Sequence, residues 1–283
     1  MTTTTRLDPA TRLGYVHLTI SDMARSLMFY QLIVGLRLLL ADGDNATLGA
    51  GDKPLLKLTE RRGARRAPGT TGLFHLAILV PSRFDLSRSI YHLMEANIKV
   101  GGGDHGVSEA IYFDDPDGNG IEIYRDRPRD GWSYTDASID MGTEALDFNG
   151  ILSELGEAPP TWTGLHSRTM LGHVHLHVAH LDESEAFYRD VIGMDVMTRF
   201  GGSASFLSAG GYHHHVGINV WAGVGAPMPP PESVGLRYFT VRLADADERD
   251  RLIARLESAG AGYNLTTDGL IVRDPAGNTI RFV

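Results

Sequence analysis

No cysteine occurs among the 283 residues. That removes disulfides, thiolate metal sites and thiol nucleophiles together. A basic surplus is missing too: 26 Lys and Arg stand against 35 Asp and Glu, a net charge of −9. The densest basic run, RRGARR from Arg61 to Arg66, reads as a solvated loop, so nucleic acid is not an expected partner. No apolar run reaches membrane-spanning length, and the opening MTTTTRLDPATR carries no apolar signal core. The expectation is a cytoplasmic protein with no membrane partner. Histidine, by contrast, is present twelve times, three of them consecutive at His213, His214 and His215. With sulfur absent, any metal must be held by nitrogen and oxygen. Neutral imidazole is the commonest protein ligand for such a metal and also a ready proton carrier.

The length suits about two domains, and internal repetition organises them. LGYVHLTISDMARSLMFYQLIVGLRLL, from Leu13, aligns without a gap on LGHVHLHVAHLDESEAFYRDVIGMDVM, from Leu171. Tyr15 then falls opposite His173, and Gly35 opposite Gly193. TGLFHLAILV, from Thr71, resembles VGLRYFTVRL, from Val234. Each of these is followed by a helical stretch and an Asp-Pro-x-Gly-Asn turn, in which Pro presets one backbone angle and Gly and Asn accept positive φ. The chain thus reads as four β-α-β-β-β modules near residues 12–60, 71–126, 170–222 and 234–283. This predicts an α+β fold in which the modules pair into two curved-sheet domains, 12–126 and 170–283. Residues 127–169 form a linker, with a short helix expected within Met141–Leu155. GAPMPPPES, from Gly225, reads as a stiff connector. The aromatic pairs Phe29-Tyr30 and Phe187-Tyr188 fall at helical positions and are expected in the core; for Trp221 packing is expected ahead of the alternative, lining a pocket.

Strand alternation assigns faces. In HVHLHV, Val174, Leu176 and Val178 point toward the helix, and His173, His175 and His177 point away. Leu76 and Ile78 take the helix side, with His75 opposite. Ile121 and Ile123 do the same, with Glu122 opposite. Three strands therefore present His, His and Glu to one face. Each alone reads as an ordinary hydrogen-bonded strand residue; their recurrence at equivalent repeat positions points to a shared site.

Paired β-α-β-β-β modules with His on a first strand and Glu on a last strand resemble the vicinal-oxygen-chelate superfamily of glyoxalases, resistance proteins and extradiol dioxygenases. The four-module layout and GDHGVSEAIYFDDPDGNGIEIY, from Gly103 to Tyr124, look most like its catechol 2,3-dioxygenase branch. The resemblance implies a divalent metal, Fe2+ first, with Mn2+, Ni2+ or Zn2+ also compatible with nitrogen and oxygen ligands. It implies an aromatic diol and O2 as substrates. Carried onto this chain, the ligands would be His75, Glu122 and His173, with Tyr112 and His105 assisting and His214 as acid/base. Strict pleating of the run before Val216 instead favours His213 or His215 on the cavity face, and His215 is held in reserve; a bulge would reconcile the two.

The chain departs from the family pattern at Tyr15, Tyr238 and Arg281, which occupy ligand positions. Neither the pair of modules one and two nor the pair three and four is complete, whereas modules two and three together are. The site is therefore expected between those two, within one chain or across a homo-oligomer. A rival keeps consecutive pairing and takes His17 as the third ligand. Other functions compatible with the resemblance are a glyoxalase-type isomerase or lyase and a resistance-type binding protein.

Overall fold

The computed structural model describes residues 6–136 and 138–283. The first five residues of the stretch read for a signal core lie outside the described residues. All four modules form as expected. Module one runs through strand Arg12–Ile20, helix Met23–Met28 with a π-helical continuation over Phe29–Val34, and strands Arg37–Asp42, Asn45–Ala50 and Lys53–Glu60. Module two comprises strand Gly72–Leu79, helix Arg83–Glu95, and strands Gly101–Asp104, Ser108–Asp114 and Gly120–Asp126. Module three comprises strand Met170–His177, helix Leu181–Ala186 continued by a π-helical turn over Phe187–Ile192, and strands Asp195–Phe200, Ala204–Ser208 and Val216–Asn219. Module four comprises strand Gly235–Arg242, helix Ala246–Ser258, and strands Tyr263–Thr266, Gly269–Arg273 and Thr279–Phe282.

Local chemistry sets these boundaries. Asp22, Ser82 and Asp245 cap their helices by accepting from the backbone N–H three residues on, satisfying a donor the helix itself cannot. Gly35 and Gly193, equivalent in the repeat, end their helical segments at φ 87° and 93°, a left-handed conformation that disfavours any side chain.

Modules do not pair one with two and three with four. In one eight-stranded sheet, the first strands of modules one and four lie side by side, antiparallel; in the other, those of modules two and three do so. The sequence halves 12–126 and 170–283 therefore each give one module to each sheet, a correction to the consecutive pairing expected from the repeat. Local patterning cannot distinguish these arrangements, because every module offers an equivalent first-strand edge to whichever partner reaches it. Modules two and three meet within a single chain, which answers the choice between one chain and an oligomer for this contact.

Consecutive modules are still tied together. Tyr30, on the helical segment of module one, donates its hydroxyl to Asp115 Oδ2 of the module-two turn at 2.7 Å. Tyr188 repeats this toward Asp274 Oδ2 of module four at 3.0 Å. Both tyrosines are fully buried, so their core assignment holds, with a polar anchor added. Each Asp also organises its own turn: Asp115 Oδ1 accepts from the Asn119 N–H, as Asp274 Oδ1 does from that of Asn278. The helix-facing residues Val174, Leu176, Leu76, Ile78, Ile121 and Ile123 are buried. Each aliphatic side chain so removed from water stabilises by about 1.5–3 kcal/mol.

The linker does more than span. The short helix expected within it forms over Phe148–Leu152, continues as a 3-10 turn over Ser153–Leu155, and packs against the helix of module two. Met141 stays outside that helix and joins Gly142 and Thr143 in walling a cavity. Among the described residues, no helix is long and apolar enough to cross a membrane.

Candidate metal centre

The register of the second sheet builds the site. His173 lies opposite Ala77 on the antiparallel neighbour, and Ala77 lies opposite Glu122 on the parallel one. His75 is two residues before Ala77 and so shares its face. Because Ala77 is small and fully buried, the side chains flanking it can converge above it. Glu122 Oε2 is 3.0 Å from the Nε2 of both His75 and His173, and those two nitrogens are 3.4 Å apart. Among the described residues, these three form the one His/Asp/Glu group with metal-ligating spacing.

All three side chains are buried. Burial opposes the charge on Glu122, but the two imidazoles outweigh it and hold the carboxyl well below its usual range. Burial lowers the His173 pKa to about 4 against the pull of Glu122. The imidazole of His173 is therefore neutral beside the carboxylate, and the His75 ring completes the group. Nitrogen, nitrogen and oxygen donors on one side of a point suit a divalent ion of hard or borderline character, with its remaining positions open. The donor set therefore fits the metal that the resemblance implies.

The three groups sit in a cavity of about 430 Å³. Tyr112 lies directly opposite Glu122 in the sheet. His105 Nε2 is 2.7 Å from the Tyr112 hydroxyl, and its Nδ1 meets the Gly142 carbonyl at 2.9 Å. Burial, reinforced by the Glu122 charge, raises the Tyr112 pKa well above the usual value, so the phenol keeps its proton.

His214 also lines the cavity, its ring centroid 4.0 Å from that of His173. Burial, then the neighbouring histidines, hold its pKa well below the normal histidine range. His213 and His215 point elsewhere. His213 meets Asp126, and His215 Nδ1 accepts from the Ala209 N–H. The reserve residue His215 therefore does not reach the site. Pleating misassigned this run because the three histidines precede the strand, which begins only at Val216; alternation does not govern loop residues, and no bulge is needed.

The rival ligand His17 lies in the other sheet. Its Nε2 is 2.8 Å from Thr59 Oγ1, and its ring packs edge-on against Tyr238. Consecutive pairing would have been needed to bring it to Glu122. Around it the ligand positions are filled differently: the Tyr15 and Tyr238 hydroxyls are 3.3 Å apart, and Arg281 lies over the Tyr238 ring at 4.2 Å.

Several site residues escaped the sequence reading. His175 is directly opposite His75 and lines the cavity; the alternation that placed it on the correct face could have flagged it. Phe74, Phe206 and Trp221 surround its ring at 5.2, 5.5 and 5.2 Å. Trp221, 47% exposed, lines the wall, so of its two expected roles the pocket-lining one holds and core packing does not. Among the described residues, no Lys or Arg lines the cavity, and Glu122 is its one carboxylate.

The family model described as Glyoxalase/Bleomycin resistance protein/Dioxygenase superfamily matches residues 12–123 and 170–282. A catechol-2,3-dioxygenase of Bacillus subtilis (strain 168) is 44% identical over 285 residues, covering 99% of each chain. Glyoxalase I from Zea mays shares the fold with a TM-score of 0.58 at 17% identity, over 97% of this chain and 92% of that one. The cppA protein of Streptococcus pneumoniae TIGR4 does so with a TM-score of 0.55 at 14% identity, over 96% of each. The chain belongs to the Glyoxalase/Bleomycin resistance protein/Dioxygenase superfamily, within its catechol 2,3-dioxygenase branch.

Proposed function

We propose that the protein is an extradiol ring-cleaving dioxygenase, acting with O2 on catechol or a substituted catechol at a divalent metal, Fe2+, held by His75, Glu122 and His173. The observation that carries this reading is the convergence of those three donors on the floor of a cavity that also exposes His214 and Tyr112. When bound, a ferrous ion supplies Lewis-acid activation of adjacent ring hydroxyls and one-electron chemistry toward oxygen.

The chain's own residues do the rest. The neutral imidazole of His214 takes a ring-hydroxyl proton and later returns one, a role typically worth about 10²–10⁴-fold in rate. Tyr112 donates its hydroxyl to Nε2 of His105, whose Nδ1–H is held by the Gly142 carbonyl, so the Tyr112 oxygen is left to accept from a substrate hydroxyl. Phe74, Phe206 and Trp221 offer apolar surface to the ring and exclude water. With no Lys or Arg on the wall, uncharged rings are favoured over carboxylated ones. A glyoxalase-type reaction or passive binding would leave His214 and Tyr112 without a task.

The test is to load the protein anaerobically with Fe2+, add catechol and admit air. A yellow ring-fission product with one O2 consumed per catechol supports the reading. Absence of both oxygen uptake and colour, with catechol and its alkyl derivatives alike, overturns it. Parallel loading with Mn2+, Ni2+ and Zn2+ identifies the working metal.

A further inference from the structure

His214 reaches the cavity with one ring nitrogen already engaged. Its Nδ1 lies 2.8 Å from Nδ1 of His213, and the Nε2 of His213 lies 2.9 Å from Asp126 Oδ1. His213 is fully buried, and Asp126 closes the same strand that carries Glu122. Tyr212 also donates its hydroxyl to Asp126, at 3.0 Å to Oδ2, fixing the carboxylate from a second side.

Hydrogen-bond roles along this row are determined from its outer end. A carboxylate only accepts, so the His213 Nε2 must carry the proton. A neutral imidazole has one donor and one acceptor, so its Nδ1 is a lone pair. The nitrogen facing that lone pair, His214 Nδ1, must then donate. One position is left for His214 Nε2: an unprotonated nitrogen available to the cavity occupant. The logic is that by which a carboxylate fixes the tautomer of a catalytic or metal-bound histidine, extended by one imidazole.

We infer that Asp126 and His213 are positioning residues that lock His214 in its Nδ1–H tautomer, leaving Nε2 as the basic nitrogen at the cavity. This rests on the reading of His214 as the proton-transfer group. Two consecutive histidines thereby divide the labour, one facing the substrate and the other facing the aspartate. The lock also gives a role to two of the three histidines in the run, His214 at the cavity and His213 at Asp126.

The test is long-range ¹H–¹⁵N correlation on histidine-labelled, metal-free protein, which reports the protonated nitrogen of each ring without needing turnover. Wild type is expected to show His214 protonated at Nδ1 and bare at Nε2. Asp126→Asn keeps the shape but adds an amide donor. It is expected to move His214 toward the Nε2–H form and, in the Fe2+-loaded enzyme, to lower kcat by about 10–100-fold while KM and metal content stay unchanged. A wild-type His214 protonated at Nε2 overturns the lock outright, even if Asp126→Asn fails to fold. So does an Asp126→Asn enzyme with unchanged tautomer and kcat. The expected tautomer in a wild type that never turns over catechol supports the lock and sinks the assigned reaction instead.

Discussion

Lowering the pH should unfold this protein through its buried histidines, and His215 gives the measurable case. It is 3% exposed, and burial, followed by the Arg12 charge, brings its pKa down to about 3. In the unfolded chain it returns to about 6.5. Between those two values the unfolded state holds a proton that the folded state refuses. Stability contributed by this group is therefore complete above pH 6.5 and is lost as the pH falls toward 3. Each pH unit inside the window costs about 1.4 kcal/mol per such group, so a step from pH 6.5 to pH 5 costs about 2 kcal/mol. The comparison is His215→Asn, whose amide oxygen can replace Nδ1 as acceptor for the Ala209 N–H. Urea unfolding of metal-free protein at pH 7 and pH 5 should show wild type losing about 2 kcal/mol more than the variant. Equal losses would mean that His215 takes up its proton in the folded state, and burial would then not be keeping the ring neutral.

Three further outcomes are expected. Glu122→Gln removes the one carboxylate from the donor set, and metal affinity measured by competitive chelation should fall by more than about 100-fold while the apo fold is retained. Tyr30→Phe and Tyr188→Phe each strip a donor from a buried aspartate and should cost about 1–3 kcal/mol in urea unfolding; in Tyr188→Phe, Asp274, already pushed up to about 6 by burial against its hydrogen bonds, should titrate higher still by carboxyl NMR. The triple change Tyr15→His, Tyr238→His and Arg281→Glu copies the second-sheet donors into the first sheet, and elemental analysis should then find more metal per chain than in wild type; no gain would mean that the two sheets differ in more than these side chains.

Legibility in the sequence followed the strands. His75, Glu122 and His173 could be assigned to one face because each lies within a regular strand whose apolar alternates are unmistakable: Leu76 and Ile78, Ile121 and Ile123, Val174 and Leu176. The same rule failed at His213 to His215 because the backbone there is not pleated. The contribution of Met141 could not be read either. It depends on the linker crossing the open side of the second sheet, a tertiary path that no periodicity encodes. The partnering of modules lay between these cases. Local patterning treats all four first strands as equivalent; only the identities at the ligand positions separated them, by showing that modules two and three alone make a full set.

Those identities also explain why one sheet of the two carries the site. The position of Glu122 is taken in the first sheet by Arg281, and the two first-strand histidines by Tyr238 and Tyr15. Arg281 and Lys57 lie over the tyrosine rings at 4.2 and 4.5 Å, contacts worth about 0.5–1 kcal/mol each at half-exposed positions. The remaining histidine, His17, is lowered to about 4 by burial and then by Arg237, Lys57 and Arg281. A divalent cation placed there would meet the like charges of Arg237, Lys57 and Arg281, with Arg281 standing where Glu122 stands in the other sheet. The repeat has thus kept its backbone in both sheets while reversing the charge at the equivalent point. Because each sheet draws one module from each half of the chain, the retained donors must come from both halves, His75 and Glu122 from one and His173 from the other. Separating the halves would therefore divide the donor set itself, so that neither half alone could hold the ion.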